Sequence, residues 1–83
     1  MMKEPSNIVV FITTSREEEA QSIAGLLLNQ RKAACVNIVP GVDSLFGWHG
    51  KPDSAWKSLL IVKTKASLLP ETVSLVKQTL ERS

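Results

Sequence analysis

The chain has 83 residues and a mass of 9.1 kDa, enough for one domain and too little for a second hydrophobic core. The apolar fraction of 43% excludes a disordered polar segment, the single cysteine excludes an intrachain disulfide, and the net charge of +2 is too small to indicate a nucleic-acid or membrane partner. Met1–Asn7 has no apolar leader, so we expect a cytoplasmic domain with a reduced thiol.

The first part of the chain predicts a strand followed by a helix. Ile8–Ile12 is a continuous β-branched and aromatic run, which is typical of a central strand buried on both faces. Ser15 and Glu18 have the spacing of a capping box, so we expect a helix from about Arg16 to Arg31. Its predicted apolar stripe consists of Ala20, Ile23, Ala24, Leu27 and Leu28.

Two further strands are predicted in the middle of the chain. Ala33–Val39 is mostly apolar, and we expect Pro40–Gly41 to stop or bulge this strand before it resumes through Phe46. A turn is expected at Gly50–Asp53, because Pro52 presets its backbone angle. A third strand then covers about Trp56–Lys65, with alternate residues on opposite faces.

The last segment predicts a second helix. Ser67 is expected to cap it, with Pro70 in its first turn. The element order is β-α-β-β-α, and a right-handed crossover places both helices on one face of the sheet. The fold class is therefore α+β, a ferredoxin-like two-layer sandwich that lacks its fourth strand. The predicted apolar stripe of the second helix consists of Leu69, Val73, Val76 and Leu80.

The sheet face without helices is also predicted to be apolar. Leu59 and Ile61 point to this face, and the first strand is apolar on both sides. In the usual strand order the first strand lies between the third and the fourth, so the missing fourth strand leaves an unpaired edge. We therefore expect an oligomer that packs sheet against sheet, or a chain truncated at the C-terminal strand of a longer parent.

One chain has too few soft ligands for a closed metal site. Cys35 and His49 are the single cysteine and the single histidine, and neither lies in a zinc-type spacing such as C-x-x-C. A three-fold oligomer brings three copies of each together, and a triad of thiolates or imidazoles can bind copper or zinc. The alternatives are a small hydrophobe on a strand for Cys35 and an ordinary loop residue for His49.

Other functional classes have weaker support. No serine has the surroundings of a catalytic nucleophile and no glycine-rich phosphate loop is present, so we do not expect an enzyme. RNA-recognition domains share this element order but stack bases on sheet aromatics, which the third strand lacks on its open face. Phe46 and Trp48 either line a pocket at a subunit interface or fill core space. Lys51, Lys63 and Lys65 could contact an anion, although lysines that flank strands are usually solvated.

The sequence resembles the CutA divalent-ion tolerance family. The motifs that carry the resemblance span Ile8 to Leu80 in matching order, and they are Ala33–Val42, Ser44, Trp48-x-Gly50-Lys51, Ile61–Thr64 and Leu68–Pro70. The resemblance implies a compact homotrimer with sheets inward and helices outward, and a link to tolerance and binding of copper or another divalent cation. Cys35 matches the signature cysteine, and Trp48 and Lys51 match the loop motif, whereas His49 lies where the family varies.

The resemblance also implies an alternative function and shows some departures. The trimer is similar to that of PII signalling proteins, so a trimeric module that senses a small anion or nucleotide, without metal chemistry, remains open. Phe46 stands where the family commonly has tyrosine, and Lys57 where an acidic residue is frequent. The family continues beyond the second helix with a strand that closes the trimer, and this sequence lacks that segment.

Overall fold

The computed structural model describes residues 7–48 and 51–82, in which three strands form one antiparallel sheet in the order β1-β3-β2. The elements are β1 (Asn7–Thr14), α1 (Glu17–Asn29), β2 (Cys35–Trp48), β3 (Lys51–Lys65), a 3-10 turn (Ala66–Leu68) and α2 (Leu69–Arg82). Both helices contribute to one hydrophobic core on one face of the sheet. This arrangement confirms the α+β class. None of the described helices is long and apolar enough to cross a membrane.

The central strand of the sheet is β3, not β1. It pairs with β1 from Lys65 opposite Asn7 to Ser58 opposite Thr14, and with β2 on its other side. Within the described residues β1 has a neighbour on one side only, and its burial alternates along the strand. The prediction that Ile8–Ile12 is buried on both faces is therefore wrong, because only its even-numbered residues face the helices. The β3 residues that face the helices are all buried, and they are Ser58, Leu60, Val62 and Thr64.

A β-bulge interrupts β2, as the sequence predicted. Val39 lies opposite Leu59 and Val42 lies opposite Lys57, so Pro40–Gly41 faces a single residue of β3. Gly41 has a φ of 70°, a left-handed conformation that glycine adopts without steric cost.

The turn predicted at Gly50–Asp53 is wrong for residues 51–53, because β3 begins at Lys51, which pairs with Trp48, while Gly50 lies outside the described residues. Pro52 fits within β3 because the β1 ladder stops at Ser58, so β3 is paired on one side only at this point.

Helix α1 provides most of the core. Its stripe is confirmed except at Leu28, which is 44% exposed. The helix begins after Arg16, one residue later than the capping box predicts, and it has no side-chain cap. The backbone N–H of Ser15 instead donates to Oε1 of Glu19 at 3.3 Å. The residues of α1 in the core are Ala20, Ile23, Ala24 and Leu27, which pack with Leu60, Val62 and Val76.

Helix α2 is rotated relative to its predicted stripe. Thr72 is fully buried, whereas Val73 is 39% exposed and Leu80 is also exposed. Thr72 tolerates burial because its Oγ1 donates to the carbonyl of Leu68 at 2.8 Å, which satisfies the hydroxyl within the helix. Pro70 lies in the first turn as predicted, but Ser67 belongs to the preceding 3-10 turn and is not the cap.

Candidate functional site

The sheet face opposite the helices presents exposed apolar side chains. Phe11 is 66% exposed and Val9 is 50% exposed, and both lie in β1 opposite residues of β3. Three rows cross the strands from β1 through β3 to β2, and they are Val9–Lys63–Cys35, Phe11–Ile61–Asn37 and Thr13–Leu59–Val39. We call these residues the open face. Its apolar content confirms that Leu59 and Ile61 lie on the side of the sheet without helices.

Cys35 is the first residue of β2 and lies on the open face. The backbone N–H of Ala34 donates to the carbonyl of Lys63 at 2.8 Å, which starts the pairing with β3 and places Cys35 directly opposite Lys63. The thiol is free and partly buried. Among the residues that the structure describes, no three His, Cys, Asp or Glu side chains lie together. The described residues of one subunit therefore do not form a complete metal site around Cys35.

The remaining predicted site residues lie at the opposite end of β2. Trp48 pairs with Lys51, and Phe46 pairs with Asp53, close to the end of the hairpin. The length of β2 places Trp48 roughly 40 Å from Cys35, at about 3.3 Å per residue. One subunit thus does not bring Cys35 and the predicted interface-pocket residues together. His49 lies outside the described residues, and so do the side chains of Phe46, Trp48 and Lys51.

A second candidate site is a cavity of about 610 Å³ at the end of the sheet where Cys35 lies, away from Trp48. It lies where β1 begins and where α1 and β3 end, and we call it the end pocket. Three cationic side chains line it, from Arg31, Lys63 and Lys65, and no acidic residue among those described does. Its apolar lining is Ile8, Val9, Leu28, Ala33, Ala34 and Leu68.

Sequence reasoning missed Arg31 as a site residue because it extended α1 as far as this position. The helix ends at Asn29, and Arg31 has a φ of 57°. Its N–H donates to the carbonyl of Leu28 at 3.1 Å, and the N–H of Lys32 donates to that of Leu27 at 2.8 Å. These two hydrogen bonds form a Schellman motif. In the sequence, few residues separate Leu28, the last residue of the apolar stripe, from Ala33, where the second predicted strand begins. This short separation indicates a tight helix end.

Comparison with known protein families gives one clear match. Residues 8–81 match the family model of the CutA1 divalent ion tolerance protein. A rice protein named "Protein CutA 1, chloroplastic" (Oryza sativa subsp. japonica) is 42% identical over 71 residues, which are 86% of this chain and 40% of the rice protein. A Thermus thermophilus protein named "Divalent-cation tolerance protein CutA" is 45% identical over 69 residues, 83% of this chain and 67% of that protein.

Solved structures give the same result for the fold. The divalent cation tolerance protein Cut A1 of Thermus thermophilus superposes with a TM-score of 0.83 at 42% identity, covering 88% of this chain and 71% of that one. CutA1 from Oryza sativa superposes with a TM-score of 0.84 at 41% identity, covering 88% and 67%. A protein from Archaeoglobus fulgidus, named a periplasmic divalent cation tolerance protein, gives 0.82 at 40% identity, covering 88% and 71%. Because these names differ in compartment, the cytoplasmic location of the present chain stays a prediction.

Proposed function

The chain belongs to the CutA1 divalent ion tolerance protein family, and on that premise we propose that it is a homotrimer that binds a divalent or soft metal cation, with copper as the first candidate. It spans 40% of the length of its rice relative and 67% of its Thermus relative. The single observation that carries the proposal is the position of Cys35 on an exposed apolar sheet face. That the protein has no enzymatic activity remains a prediction.

The exposure of the open face in a single subunit supports the homotrimer. Phe11 and Val9 are at least half exposed in one subunit, and Ile61 lies between Phe11 and Asn37 in the middle row. An isolated subunit would keep this surface in contact with water, whereas sheet-to-sheet packing removes it. Such packing leaves both helices on the outside, where their polar faces meet solvent.

Three-fold symmetry supplies the metal ligands that the described residues of one subunit do not provide. Around a three-fold axis Cys35 occurs three times, and three thiolates form a donor set that soft Cu(I) favours. The opposing Lys63 carries a positive charge beside each thiol, so the site must compensate for repulsion of the cation. We therefore expect weaker binding than at a closed site with carboxylates around it.

Native mass spectrometry with Cu(I) under reducing conditions tests the proposal. The wild-type chain is expected as a species near 27 kDa, three times 9.1 kDa, with one copper ion per trimer. Cys35→Ala should keep the trimer and lose the copper. Asn37→Ala is the matched control, because it changes an exposed side chain of the same strand face and keeps the thiol. Unchanged copper stoichiometry in Cys35→Ala would refute the metal assignment, and a monomeric wild type would refute the trimer.

A further inference from the structure

The end pocket combines an apolar interior with an unbalanced set of cations, and we propose that it binds a small amphipathic carboxylate. Its volume of about 610 Å³ lies within the range of small-molecule sites. The apolar chain of the ligand packs against Ile8, Leu28 and Leu68, and its carboxylate lies beside Arg31 and Lys65. This binding activity goes beyond the cation tolerance proposed above.

Among the described residues, no acidic side chain lines the end pocket beside its cations. One ion pair joins Nζ of Lys32, the neighbour of Arg31, to Oε1 of Glu71 in α2 at 2.8 Å. That pair neutralises Lys32, while the adjacent Arg31 and the two β3 lysines stay without an acidic partner among the described residues. Arg31 and Lys65 carry like charges in the lining of one cavity, so an anion bound there lowers the electrostatic energy.

Arg31 occupies a position that local backbone physics reserves for glycine. It is the C′ residue of the Schellman motif, and its φ of 57° is sterically unfavourable for any residue with a Cβ atom. Retaining arginine there costs folding stability, and nothing in the core recovers that cost because the side chain is exposed. A place in the lining of the end pocket gives this strained residue a role.

The loop that carries Arg31 is held before any ligand arrives. Oγ1 of the buried Thr64 donates to the carbonyl of Lys32, and the Lys32–Glu71 pair fastens the same residue to α2. Two residues after Lys32, the backbone N–H of Ala34 donates to the carbonyl of Lys63 at 2.8 Å. Because both ends of the loop are fixed to β3, the ligand does not have to order the loop, which lowers the entropic cost of binding.

A carboxylate on an apolar chain fits this chemistry better than a highly charged ligand. The planar guanidinium of Arg31 matches the two oxygens of a carboxylate, and Lys65 adds a flexible donor. Among the described residues, Asn7 and Thr64 are the uncharged polar residues of the lining, and the hydroxyl of Thr64 already donates to the carbonyl of Lys32, so few polar groups are available to a sugar. The affinity for the ligand therefore depends on both its apolar chain and its carboxylate. A ligand without the chain and a ligand without the charge test the two contributions separately.

Isothermal titration of the full chain with octanoate at low salt tests the proposal. We expect saturable binding of one octanoate per subunit, at least about tenfold tighter than acetate, which lacks the chain, and octanol, which lacks the charge. Arg31→Gly should weaken octanoate binding about fivefold and at the same time raise the melting temperature by about 4 °C, because glycine relieves the backbone strain. A merely destabilised protein would lose both affinity and melting temperature.

Two further variants locate the binding. Lys77→Gln removes one positive charge from the exposed surface of α2, outside the pocket, and should leave octanoate affinity unchanged. Leu28→Glu places a carboxylate at the pocket wall, at a position exposed enough to tolerate it, and should abolish binding while the chain still folds. Equal octanoate affinity in wild type and Arg31→Gly, saturable binding to folded Leu28→Glu, or no saturable binding to wild type would each overturn the proposal.

Discussion

Phe11→Ser should separate association of the subunits from folding of each one. Phe11 lies in the middle row of the open face, opposite Ile61, and 66% of its side chain is accessible in a single subunit. A side chain so exposed contributes little to the monomer core. Its replacement by serine is therefore expected to leave the fold in place and to weaken the proposed trimer.

The expected size of the effect follows from that exposure. A phenylalanine presents about 200 Å², so the exposed fraction of Phe11 corresponds to about 130 Å² of apolar surface that a neighbouring subunit would cover. At about 25 cal/mol per Å², covering it stabilises the assembly by about 3 kcal/mol per subunit. Loss of this term weakens association roughly a hundredfold for each subunit.

Sedimentation equilibrium over a dilution series measures the effect. Wild type is expected to remain trimeric at micromolar concentration, while Phe11→Ser dissociates to monomers with a wild-type circular dichroism spectrum. Val73→Ser is the matched control, because Val73 is 39% exposed on α2, on the other layer, and should leave association unchanged. Equal dissociation of both variants, or none in either, would show that the open face is not the interface.

The other predictions concern the stability of the subunit itself. Leu27→Ala should lower the free energy of unfolding by about 2–5 kcal/mol, because Leu27 is fully buried. The adjacent Leu28→Ala should lower it by about 1 kcal/mol or less, because Leu28 is exposed. Similar shifts of the urea midpoint in both variants would contradict the packing of α1. Glu71→Gln removes the ion pair with Lys32, and because this pair is partly exposed, the free energy of unfolding should fall by only about 0.2–1 kcal/mol. This loss should disappear at about 1 M salt, which screens the charges. A loss that persists at high salt would mean that the contact stabilises the protein by packing.

The sequence determined the layers of this fold better than the details within them. Alternation at Leu60 and Val62 identified the buried face of β3, because a strand has a fixed period of two. The stripe of α2 was misplaced because Thr72, a polar residue, is buried and Val73 is not. Hydrophobic periodicity assigns threonine to the surface, and it cannot anticipate that a carbonyl one turn earlier will satisfy the hydroxyl.

The candidate sites were harder to predict, because each is made by pairing of distant segments. The signature around Cys35 was visible in the sequence, but its position opposite Lys63 on the open face depends on the register of β2 against β3. The end pocket needs the start of β1, the end of α1 and the end of β3 at one place. Moreover, Arg31 is a residue for which local propensity gives no sign of a left-handed backbone.

The β2–β3 hairpin is much longer than the helices that cover it. Its strands have 14 and 15 residues, so it extends about 50 Å, while the 13-residue α1 covers about 20 Å. Beyond the helices, Leu45 and Trp56 are largely exposed. A two-stranded ribbon is marginally stable alone, so we expect the two-stranded part of the hairpin around Leu45 and Trp56 to open before the core unfolds. In the proposed trimer a neighbouring subunit that covers this ribbon would link assembly to its local folding, and we then expect a cation that favours the trimer to slow amide exchange far from its ligands.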